Sequence, residues 1–198
     1  MNSRSLISWC GALVLSACAT MTPPYTEIPA GPVSVGGLQL AVDAGWNRPT
    51  AVTKGAVYWT RDGAGLDRIV VFPDIGDGQS LLPARSKSEP YPSFRATMLP
   101  NEIVALVEST LSKSFGEGET LVTSSGLRPQ TFGGHKGFGF DLALSFSDGP
   151  DQRGLAGGFV ADGKLELVVY LGAIPYYYDL HRERAARIIE STRLAAAP

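Results

Sequence analysis

Histidine and cysteine are scarce: each occurs twice in 198 residues. Two Cys make no disulfide framework. His135 and His181 are too few for a metal centre built on imidazoles, and no His-Glu-x-x-His run occurs. Neither Gly-x-Ser-x-Gly nor Ser-x-x-Lys is present, so two serine-nucleophile signatures are missing. Charge is also thin. Charged residues make up 18% of the chain, with 17 basic against 19 acidic. The pI is near 5.7. A nucleic-acid-binding domain carries a basic surplus, so no nucleic-acid partner is expected. What is plentiful is apolar and turn chemistry: 44% hydrophobic residues, 23 Gly and 14 Pro. That composition describes a folded, turn-rich protein with strands.

The N-terminus has the form of an export signal. Arg4 supplies a positive start, and Leu6 to Leu15 form an apolar run. The run is too short to cross a bilayer, which takes about 20 residues, and it suits a signal h-region of ~7–15. Thr20, Thr22, Pro23 and Pro24 end it. Taken alone, these residues also fit an ordinary secretory signal cleaved nearby.

Leu15-Ser16-Ala17-Cys18 resembles the bacterial lipoprotein lipobox. Small side chains before the Cys let an extended backbone into a peptidase cleft, and the thiol takes the lipid. The resemblance implies acylation of Cys18 and removal of residues 1–17. It also implies a membrane partner held through acyl chains. Ala19 after the Cys is compatible with export to the outer membrane; the expected location is the outer membrane facing the periplasm, with the inner membrane and the cell surface as the alternatives. Cys10, behind the bulky Trp9, does not fit and leaves with the signal. An acylated Cys18 leaves no free thiol for nucleophilic or zinc chemistry.

Residues 18–32 read as a lipidated Cys and a proline-rich tether. Pro23, Pro24, Pro29 and Pro32 favour extended geometry. Residues 33–198 then read as one α+β domain. Val33–Val42 alternates loosely, Trp46–Pro49 is a turn, and Ala56–Thr60 is β-rich. Leu66–Phe72 is a strand stopped by Pro73. Asn101 is placed to cap a helix whose face is Ile103, Leu106, Val107, Thr110, Leu111 and Ser114, ended by Gly116. Four strands follow. Phe138, Phe140, Leu142, Leu144 and Phe146 alternate with Gly139, Asp141, Ala143 and Ser145, so the apolar five are expected inward. Asp162-Gly163 reads as a tight hairpin. Tyr177–Leu194 is the closing helix.

Strands, helix, four strands and helix give an antiparallel sheet with helices packed on it. Gly134–Phe146 leading into a long strand, the Asp162-Gly163 hairpin and the Tyr176-Tyr177-Tyr178 approach to the last helix resemble the fold shared by PsbP, the Mog family of Ran-binding proteins and the lipoprotein DcrB. The resemblance implies a non-catalytic accessory or binding role.

The candidate ligand or partner contacts are His135, Lys136, Tyr176, Tyr177 and Arg184. No catalytic residue, metal site or cofactor is expected. Gly133–Gly137 leads into a strand, whereas a phosphate loop leads into a helix. Asp74-x-Gly-Asp77-Gly lacks the closing Glu of a calcium loop. The expectation is therefore a non-enzymatic envelope lipoprotein. The alternative is an envelope-acting hydrolase that uses His135 or His181 in a cleft.

Overall fold

The structure is a computed structural model that describes residues 25–50, 55–84, 90–116 and 118–195. Leu15, Ser16, Ala17 and Cys18 lie outside the described residues.

The centre is a six-stranded antiparallel sheet, built from β5 (Val57–Trp59), β6 (Asp67–Ile75), β7 (Thr120–Phe132), β8 (His135–Phe146), β9 (Gln152–Ala161) and β10 (Lys164–Ala173) in the order β5-β6-β10-β9-β8-β7. Helix α1 (Pro100–Phe115) covers one face. Helix α2 (Tyr177–Glu190) covers the other, beside a three-stranded sheet of β2 (Gly31–Val35), β3 (Leu38–Val42) and β11 (Arg193–Leu194). The fold is thus α+β, with antiparallel sheets and two helices packed on them.

Burial on both faces explains why β10 is apolar almost throughout. Its Leu165, Leu167, Val169 and Leu171 join the α1 core. Val168 and Tyr170 point the other way, into the α2 core. At Gly157 of β9, a Cβ would lie 2.6 Å from Ile189 Cγ2 and 2.8 Å from Phe132 Cζ. The missing side chain is what lets α2 sit this close.

The expected alternation in β8 is present. Phe138, Phe140, Leu142 and Leu144 are buried with α1, and Phe146 is half-buried. Gly133-Gly134 and Asp162-Gly163 are two-residue hairpin turns with positive φ at both positions, which matches the twist of the strands they join.

Several boundaries differ from expectation, each for a local reason. The domain begins before residue 33. β1 (Tyr25–Glu27) pairs with β4 (Asn47–Pro49), and Ile28 is 3% exposed in the core. The extended stretch is therefore part of the fold from Tyr25 onward, and Trp46–Pro49 runs into a strand. Val33–Val42 is two strands, because Gly36-Gly37 turns the chain between β2 and β3.

Pro73 does not stop β6. Phe72 pairs with Leu167 and Ile75 with Leu165, so Pro73 and Asp74 together face Glu166 as a bulge. A bulge tolerates a residue without an N–H. Helix α1 starts at Pro100, not after Asn101. Leu99 is the N-cap and Asn101 lies inside the first turn; the Glu102 carboxylate reaches back to accept the Leu99 N–H at 2.7 Å. Helix α2 ends at Glu190. Residues 193–194 leave it to pair with β3.

Candidate functional site

Three segments converge beside the first turns of α2: the loop after β3, the turn between β5 and β6, and the helix itself. The turn is organised by Asp67, which is 1% exposed. Its carboxylate accepts the Thr60 hydroxyl at 2.9 Å, the Asp62 N–H at 2.8 Å and the Arg61 N–H at 3.1 Å. A buried carboxylate needs such donors to offset its lost hydration.

The turn then presents Asp62, whose Oδ2 lies 2.5 Å from His181 Nε2. His181 is 6% exposed, and among the described residues its Nδ1 has no hydrogen-bond partner. The Trp46 ring leans on the imidazole at 6.3 Å between centroids. Asp43 accepts Trp46 Nε1–H at 2.8 Å and Arg184 Nη1–H at 2.5 Å. Burial would raise the Asp43 carboxyl. The Trp46 and Arg184 hydrogen bonds, with the charges of Arg184 and Arg61, carry it below the ordinary aspartate value.

One donor atom each from Asp62, Asp67 and His181 lies within 4.8 Å of the others. These groups already have work. The Asp67 oxygens hold the turn, and the second imidazole nitrogen lacks the partner that ordinarily orients a ligating histidine. The Thr60 hydroxyl donates to Asp67 and not to the imidazole. The cluster is a His–carboxylate pair that joins α2 to the sheet edge.

A second region faces solvent. Helix α2 packs mainly on β10 and β9, and β7 joins its core at Phe132; among the described residues, nothing covers the rest of the same face of β7 and β8. Small and polar side chains line most of it, with Leu121 exposed at one end. A cavity of about 330 Å³ runs past Arg128, Gln130, Leu155 and Glu190. Another of about 340 Å³ runs past Thr123, Ser125, Asp141, Arg153 and Tyr178. Arg128 Nη1 donates to Asp141 Oδ2 at 3.3 Å. Burial pushes the Tyr178 phenol up, so it stays a neutral hydrogen-bonding group at the groove floor. This face can engage a polar chain through hydrogen bonds and two guanidinium groups.

The five contact residues read from the sequence do not form one site. His135 and Lys136 open β8, whereas Tyr176 and Tyr177 follow the far end of β10, beside Gln152 and Leu144. Ten paired residues separate the two ends, about 33 Å at ~3.3 Å per residue. Lys136 is exposed. His135 is half-buried, and its ring stacks on Phe159 at 5.2 Å. Tyr176 is 62% exposed, edge-on to Tyr177. Arg184 belongs to the junction through Asp43. Asp43, Asp62, Asp67 and Arg153 went unread, because they meet from separate segments with no fixed spacing. Asp141 was legible as an outward position in β8.

No protein-family model matches the chain, and no curated protein matches it in sequence. The fold is similar to the solution structure of cyanobacterial PsbP (CyanoP) from Synechocystis sp. PCC 6803, with a TM-score of 0.56 and 10% identity, covering 96% of this chain and 99% of that one. The Ran-binding protein Mog1p of Saccharomyces cerevisiae aligns with a TM-score of 0.48 and 9% identity, over 87% of this chain and 96% of that one. The PsbP likeness shows the fold and assigns no residue a role.

Proposed function

We propose that this chain is a lipid-anchored binding or accessory module of a bacterial envelope, held at the periplasmic face of the outer membrane and without catalytic activity of its own. The observation that carries the reading is Leu15-Ser16-Ala17-Cys18 at the end of an apolar run, closely followed by the first strand of a folded domain. Residues 19–24 span at most about 20 Å when extended. The domain is therefore kept close to the headgroups. β1 lies off the β5 side of the sheet. β7 is the opposite edge, five strand spacings away, or about 24 Å at ~4.8 Å each. The polar face over β7 and β8 is thus set toward the side remote from the anchor. Tethering raises the effective concentration of the module for partners on the same membrane.

The hydrolase alternative draws on the His181–Asp62 pair. Among the described residues no hydroxyl or thiol is hydrogen-bonded to that imidazole, and nucleophilic catalysis needs one within reach. Detergent-phase partitioning tests the anchor. Wild type enters the detergent phase and sediments with outer membranes, and Cys18→Ala keeps its signal and stays in the inner membrane. Recovery of the wild type in the aqueous phase of an envelope extract removes the reading.

A further inference from the structure

A third cavity lies apart from both regions above. It has a volume of about 430 Å³ and opens between the β2 strand and the β4–β5 edge. Ile28, Pro32, Val33, Val57 and Trp59 give it apolar walls, and Arg48 is the cation among its described lining residues. The volume falls within the ~300–1,000 Å³ of small-molecule sites, and an apolar lining with one charged group is their usual chemistry. The walls are firm. Ile28 and Trp59 are core residues, and Pro32 is paired within β2. Arg48 is exposed, and among the described residues it has no ion-pair partner.

We infer that this groove binds a fatty acid: one acyl chain against Ile28, Val33, Val57 and Trp59, with its carboxylate on the Arg48 guanidinium. Two observations select this occupant. The groove has an apolar body and, among the described residues, Arg48 unpaired at its rim, which complements a chain with one anionic end. The chain also enters the fold at β1, beside this groove, seven residues after Cys18. That second point rests on the anchored reading, because an anchored domain holds this side next to a membrane rich in acyl chains.

The test uses purified full-length protein in phosphatidylcholine nanodiscs and a palmitate analogue with a diazirine on its chain. After irradiation, the label is expected on the peptides containing Val33 and Val57. Arg48→Glu should lower that labelling at least tenfold with an unchanged melting temperature, because Arg48 is exposed. The methyl ester of the probe, which has no charge, should label wild type no better than the acid labels Arg48→Glu. A second variant, Val57→Trp, fills the groove and should also abolish labelling. Labelling that is unaffected by Arg48→Glu, or that falls on other peptides, overturns the inference. The mass of the N-terminal fragment is read in the same samples. An unmodified Cys18 with intact groove labelling removes the anchor and leaves the fatty-acid site standing, and an acylated Cys18 without groove labelling does the reverse.

Discussion

His181 Nε2 and Asp62 Oδ2 sit 2.5 Å apart across 119 residues of sequence, one on the first turns of α2 and the other on the turn between β5 and β6. The pair fastens a helix to a sheet edge. His181→Ala removes a buried ring that touches Trp46 and frees Asp62 from its partner. The expected cost is about 2–3 kcal/mol, read as a lower urea midpoint with an unchanged slope. His135→Ala loses one ring stack on Phe159 at a half-buried site, and is expected to cost about 1 kcal/mol or less. Equal losses in the two variants would mean that the junction is not the fastening described.

Glu166 is 2% exposed on β10, opposite the Pro73–Asp74 bulge. It accepts the Asp74 N–H at 3.0 Å. Burial pushes its carboxyl up to about 6 from the ordinary 4.5, helped by the Asp74 charge and opposed by that hydrogen bond and by Lys164. A raised carboxyl favours the fold when protonated. This contribution is complete below pH 4.5 and is lost as pH rises through 6, a loss of up to about 2 kcal/mol. Glu166→Gln keeps an acceptor for Asp74 N–H and cannot ionise. It should match wild type at pH 4.5 and melt up to about 4–8 °C higher at pH 7.5. Asp74 is held low by the Gly37 N–H and Lys164, and it acts in the opposite sense only below its ordinary 3.8. The window from 4.5 to 6 is therefore set by Glu166. A variant less stable than wild type at pH 7.5 would contradict this.

Gly157→Val places a branched side chain where the Ile189 and Phe132 atoms already stand. The variant is expected to lose about 1–3 kcal/mol, although valine is the better strand former. Thermal melts check it. A neutral result would mean that α2 is not packed as closely as the structure has it.

Much of the α1 side was legible. The period-two run of β8 and the 3–4-residue face of α1 are both amphipathic, because each has one side in the core. The β6–β10–β9 centre is buried on both faces and gives no alternation to read. Boundaries failed where tertiary contacts decided them. Pro73 is tolerated only because the chain bulges there, Tyr25–Glu27 becomes a strand only because Asn47–Pro49 is beside it, and Arg193–Leu194 leave the helix to complete a sheet with β3. The junction of Asp43, Asp62, Asp67 and His181 had no local signature. Its members come from three segments, and only the fold sets their spacing.

The uncovered face of β7 and β8 should be the partner-facing side. A photo-crosslinking residue at Thr123 is expected to capture a discrete envelope protein in living cells, and Arg128→Glu combined with Arg153→Glu is expected to reduce that capture severalfold. One at Lys136, on the hairpin end, should capture less. Equal capture from both positions, insensitive to the arginine changes, would place the partner elsewhere.

The decisive observation is the mass of the N-terminal tryptic fragment from protein purified out of its native host. A fragment starting at Cys18 and carrying a diacylglyceryl group and an N-acyl chain is the predicted result. A fragment starting elsewhere, or Cys18 with a free thiol, would contradict the account.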